Sequence, residues 1–181
     1  MAFLIKKSNN SRGAVAGGQN AVVSQYIQVS RAAKALPQSG VSATEQLFRV
    51  YGGRVFIKFL VAEVTTVIEG TDPVIKVSVS SLTDAGVLQG TAYDIASTIN
   101  LSSDEVGSLY MVEGDGTAIN TGNQTSGSIE AFSTGFIMKQ GQIYLTTGAD
   151  KTGALKWDLW YQPLDAGAYV LPVNTVTAAI T

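Results

Sequence analysis

Past Pro37 the chain never sustains one pattern for long. Runs rich in Val, Ile, Thr, Tyr and Phe are each cut short by a cluster of Gly, Asn, Asp or Ser. Such clusters stand at Gly70-Thr71-Asp72-Pro73, Ser102-Ser103-Asp104, Gly114-Asp115-Gly116, Gly122-Asn123, Gln140-Gly141, Gly148-Ala149-Asp150 and Asp165-Ala166-Gly167. Between them lie candidate strands at 46–51, 54–68, 74–82, 92–101, 108–113, 128–132, 136–139, 142–147, 155–162 and 169–173. Short β-prone runs spaced by turn chemistry exclude a helical bundle and predict an all-β domain. The expected body is an antiparallel β-sandwich, jelly roll or barrel.

Two of these runs alternate cleanly, which assigns their faces. Ile75, Val77 and Val79 point one way, and Lys76, Ser78 and Ser80 the other. Leu155, Trp157, Leu159 and Tyr161 share a face that reads as core, opposite Lys156, Asp158 and Trp160. The run 54–68 alternates only weakly, as a central strand covered on both faces would. The Gly70 to Pro73 cluster after it reads as a hairpin loop into 74–82. Ser42-Ala43-Thr44-Glu45 has the form of a helix capping box. The aromatic, β-branched run after it stops at Gly52-Gly53, and a strand fits it better. Those glycines lead into another strand, so they read as a tight turn rather than a phosphate loop.

Charge divides the chain. The first sixty residues hold eight Lys/Arg and one Asp/Glu; the remaining 121 hold four and thirteen. Residues 1–36 include Ser8-Asn9-Asn10-Ser11 and Gly17-Gly18-Gln19-Asn20, which are coil composition. Within 22–35 the periodicity suits either a short helix or a strand with Ile27, Val29 and Arg31 on one side. The expectation is an extended basic N-terminal arm over 1–36 and a β-sandwich body over 37–181. Lys6, Lys7, Arg12, Arg31 and Lys34 are the arm residues expected to bind a partner. With Arg49, Arg54 and Lys58 they are spread along the chain, with one adjacent pair. An acidic protein neighbour suits that spacing better than nucleic acid.

Composition narrows the chemistry. The chain has no Cys and no His. It therefore lacks disulfides, thiolate metal ligands and the commonest general base. The pairs Asp104-Glu105 and Glu113/Asp115 are neighbours at turns, where they read as solvated charges rather than a catalytic pair held across a cleft. Gly114-Asp115-Gly116-Thr117 lacks the closing Glu of a calcium loop. No catalytic residue, metal or cofactor is expected, and the chain is not read as an enzyme. Phe3-Leu4-Ile5 is too short for a signal-peptide core, and no run is long enough to span a membrane. Only 14% of residues are charged, well below the usual quarter of a soluble domain, which favours an oligomer.

Trp160 is a large aromatic on a nominally polar face, open to three readings: a subunit-interface anchor, a second-sheet contact or a sugar-stacking platform. Trp160 and Tyr169 are the interface candidates. Several segments also resemble small virion proteins of tailed bacteriophages. They include Leu47-Phe48-Arg49-Val50-Tyr51-Gly52-Gly53-Arg54-Val55, Glu63-Val64-Thr65-Thr66-Val67-Ile68 and Val106-Gly107-Ser108-Leu109-Tyr110. Another runs from Gly153-Ala154-Leu155-Lys156-Trp157-Asp158-Leu159-Trp160-Tyr161 to Val170. The resemblance covers residues 35–170. It implies a capsid decoration or cement protein, a homotrimer on the major capsid protein, in the virion after assembly in the host cytoplasm. It leaves open another virion component (tail, neck or head fibre), and the aromatic residues leave open a carbohydrate-binding module.

Overall fold

The computed structural model describes residues 26–36, 43–71, 73–82, 87–88, 92–101, 104–112, 120–121, 135–148 and 151–173. Every named element among them is a β-strand: β1 Ile27–Ala35, β2 Ala43–Tyr51, β3 Val55–Thr66, β4 Val74–Ser81, β5 Tyr93–Asn100, β6 Leu109–Val112, β7 Asn120–Thr121, β8 Phe136–Met138, β9 Gly141–Thr147, β10 Ala154–Pro163 and β11 Tyr169–Pro172. Two antiparallel sheets form a sandwich. The first runs β1-β10-β3-β6-β7, with β8 also paired to β3; the second runs β11-β2-β9-β4-β5. Candidate strand 128–132 lies outside the described residues, as does the Gly114–Thr117 turn.

The inward faces are those the alternation assigned. Leu155, Trp157, Leu159 and Tyr161 are buried, and so are Ile75 and Val77. Ile75 and Val77 lie with Phe48, Val50, Ile143 and Leu145 on the second sheet, and across the sandwich the β10 residues join them in one core. The weak alternation of 54–68 has a different cause from the expected one. On β3 the buried positions are Val55 and Ile57, then Leu60, Ala62 and Val64. The phase shifts by one residue because the register slips there: Trp160 faces Phe59, but Tyr161 faces Ile57. A β-bulge at Lys58 inserts the extra residue and returns the apolar side chains to the core. The strand is central, flanked by β10 on one side and by β6 and β8 on the other, but its outer face is only half-covered.

The connection after β3 is not a hairpin. β3 belongs to the first sheet and β4 to the second, so Gly70 and Pro73 lie on an arch between sheets. Both edges of β3 are already taken, and the arch is held instead by bridges Ile68 to Asp104 and Gly70 to Lys151. Asp104 correspondingly departs from the solvated-turn expectation. It is buried, accepts a hydrogen bond from the Tyr110 hydroxyl, and burial raises its carboxyl above the usual range. Glu105, beside it, is exposed.

The glycines after β2 also cross between sheets. Gly52 has φ +72°, and a Cβ there would come within 2.3 Å of the Gly167 carbonyl oxygen. The Asp165 carboxylate clamps the same corner. It accepts from the Arg54 backbone N–H at 2.7 Å and from Arg54 Nη2 at 2.8 Å. These hydrogen bonds pull the Asp165 carboxyl down to about 2. A depressed carboxyl stabilises the fold above its unfolded value and loses that effect as pH falls through the folded one. Asp165→Asn is therefore expected to cost most near neutral pH, with the gap to wild type closing between pH 4 and 2. Urea melts at pH 6, 4, 3 and 2 test this; a pH-independent gap would rule out the titrating clamp.

Candidate interaction surface

The expected arm divides in two. Lys6, Lys7 and Arg12 lie outside the described residues. From Ile27 onward the chain is the edge strand of the first sheet, paired to β10 from Ile27–Tyr161 to Ala35–Ala154. The body therefore includes β1, ahead of the boundary expected at residue 37. Ala-rich β1 takes its place because Val29 and Arg31 project inward on the strand phase, the second of the two periodicities legible in 22–35.

Arg31 and Lys34 are instead engaged within the chain. Arg31 is buried and lies 3.2 Å from the Glu45 carboxylate, which is itself buried on β2 of the opposite sheet. Its Nε donates to the Val173 carbonyl at 2.8 Å. Lys34 Nζ donates to the same Glu45 oxygen at 2.6 Å. Two of the eight early cations are thus spent on the single early anion, and together they tie β1 to β2 and to the end of β11. A bulge between Arg31 and Lys34 is what lets both reach one carboxylate.

The surface that remains is the outer face of the first sheet. Its rows follow from register: Gln28–Trp160–Phe59, and Gln162–Phe56–Ile137. Trp160 is half-buried and meets Phe59 edge-on, with centroids 6.2 Å apart and planes at 83°. Phe56 meets Tyr26 at 6.3 Å. Lys58, on the bulge, stands over the Phe59 ring at 5.3 Å. Ile137, in the Phe56 row, is 65% exposed. Half-buried aromatics beside the exposed Ile137 make this face a candidate interaction surface. Alternation alone located Trp160; its aromatic neighbours were missed because the β3 bulge hid Phe56 and Phe59 in a seemingly continuous apolar run.

Farther along the same face the side chains become charged. Lys156 Nζ lies 3.1 Å from Asp158 and 3.9 Å from Glu63. Burial pushes the Asp158 carboxyl up, but hydrogen bonds from Ser30, Lys156 and Gln28 outweigh it and leave the group below its usual range. The Asp158 hydrogen bond correspondingly raises Lys156.

The second sheet offers less. Its outward Gln46, Ser78, Ser80, Gln142 and Tyr144 are buried. Tyr169, on edge strand β11, stacks on Tyr51 at 5.1 Å and 15°, and Arg49 lies over Tyr51 at 5.0 Å. Tyr169 and Leu171 are exposed beside this stack. Trp160 and Tyr169 therefore lie on different sheets and do not form one site.

No protein-family model and no curated protein matches this sequence. Among solved structures, a chain in the structure of infectious bursal disease virus Gx strain aligns at TM-score 0.26 and 9% identity. The alignment covers 84% of this chain and 39% of that one, and at that TM-score it carries no argument about fold or function.

Proposed function

We propose that this chain is a non-catalytic structural component of a virus particle, a decoration or cement protein on the capsid lattice of a tailed bacteriophage. The observation that carries the assembly role is the outer aromatic face of the first sheet. A sandwich that had only to be soluble would place polar side chains there. The segment resemblance over residues 35–170 supports the tailed-phage assignment. Lys6, Lys7 and Arg12 precede the first described strand and supply a cationic reach toward an acidic capsid subunit. Many weak contacts, repeated by lattice symmetry, add to firm attachment.

The structure sets where the attachment test must cut. Deleting residues 2–34 would remove most of β1 and both cations that pair with Glu45, so lost binding would report unfolding. Deleting residues 2–25 leaves every described strand intact. That variant is expected to keep the wild-type melting curve and to lose capsid occupancy, measured as copies per particle by quantitative mass spectrometry of purified virions. Undiminished occupancy would remove the N-terminal segment from attachment. Copy number in wild-type particles separates the positions: hundreds on the head indicate cement, and about a dozen indicate a neck or tail component.

A further inference from the structure

We propose that the arch between the sheets is a proton-operated clasp, closed tightest when Asp104 is protonated and loosened when it ionises. The loop from Leu101 to Ser108 holds three pieces of the sandwich. The Leu101 N–H donates to the Pro73 carbonyl at 2.9 Å, just before β4 of the second sheet. On the arch, the Ile68 N–H donates to the Asp104 carbonyl at 3.3 Å. On β3 of the first sheet, the Gly107 N–H donates to the Val64 carbonyl at 2.9 Å, and the Val64 N–H to the Ser108 carbonyl at 3.0 Å. The Asp104 side chain is buried within this junction and accepts from Tyr110, which is 0% exposed. Closing the loop therefore takes a carboxyl out of water, and the neutral acid makes that transfer far more readily than the carboxylate. Burial correspondingly holds the Asp104 carboxyl above its usual range. Ser108 adds to the cost of closure, because its buried hydroxyl has no hydrogen-bond partner among the described residues. A junction closed at such cost belongs to the part of a fold that opens first. The charged groups around it are Lys151, buried and bridged to the arch at Gly70, and the exposed Glu69 and Glu105.

A carboxyl raised in the closed form favours closure below its ordinary value of about 4, and that contribution is lost as pH rises through the closed-state value. The Asp165 clamp, at the other end of β3, has the opposite sign and is fully formed above about pH 4. Native-state hydrogen exchange of the full chain from about pH 4 to 7, corrected for the intrinsic pH dependence of exchange, reads the clasp at the Leu101, Ile68 and Gly107 amides. Amides of β9 are the internal reference. Protection at the three amides is expected to fall severalfold relative to β9 as pH rises. Asp104→Asn keeps the shape without the charge and is expected to hold protection at its acid level throughout. Glu69→Gln and Glu105→Gln are expected to leave the fall unchanged. NMR titration of the wild-type carboxyl groups needs no variant and is expected to place the Asp104 midpoint above that of an ordinary aspartate. A flat protection profile, or a fall that persists in Asp104→Asn, would overturn the proposal. So would an Asp104 midpoint at or below the ordinary value, or a fall that either Glu→Gln variant abolishes. Capsid occupancy enters none of these readouts, so the clasp and the proposed function fail separately.

Discussion

Replacing Glu45 with Ala is expected to destabilise the protein by about 3–5 kcal/mol, the range for removing one partner of a buried ion pair. Glu45 is 3% exposed and receives both Arg31, itself 1% exposed, and Lys34. Without the carboxylate, Lys34 can turn to water, since it is 28% exposed. Arg31 cannot. It would stay buried between the sheets with a carbonyl oxygen at Val173 as its hydrogen-bond acceptor, or it would leave and open the contact between β1 and β2. Glu45→Gln is expected to cost nearly as much, because it keeps the volume and removes the charge. The double replacement Arg31→Met with Glu45→Leu is expected to cost less than Glu45→Ala alone, since no buried charge is left behind. Urea denaturation of wild type and the three variants measures the ranking. A loss below about 1 kcal/mol for Glu45→Ala would mean that water reaches the cluster and screens it.

Trp157→Ala is expected to be comparably severe, about 3–5 kcal/mol for truncating a fully buried large aromatic. Trp157 lies on β10, between Arg31 of β1 and Ala62 of β3 in register. Its register partner Ala62 is small, and both residues are 0% exposed. Neither neighbour can swing in to close the cavity: Arg31 is held by Glu45, and Ala62 has no side chain to extend. Trp157→Phe is expected to cost less than half as much. It leaves a smaller void and removes an indole N–H that has no hydrogen-bond partner among the described residues. Thermal and chemical melts of both variants test the ranking, and equal losses would show that the volume of the void does not set the cost.

These two sites divide what the sequence could reveal from what it could not. The inward position of Trp157 was legible in the chain itself, because strict alternation from Leu155 to Tyr161 is a local property of a pleated strand. The same reasoning found β4, β9 and β11 and the all-β class, since each rests on neighbours two residues apart and on the turn chemistry between runs. Arg31 and Lys34 looked like arm cations because their partner is not local. Glu45 meets them only when two sheets face each other, and Val173 comes from the far end of the chain. The division of strands between sheets was hidden for the same reason: Gly70 and Pro73 show that the chain turns, but not whether the next strand pairs with the last or crosses over. Asp104 at a turn looked solvated until Tyr110 was seen against it. Backbone pattern is set by short-range sterics and side-chain phase, which a single chain displays. Pairing and charge compensation depend on contacts between distant segments, and those are decided only when the sandwich closes.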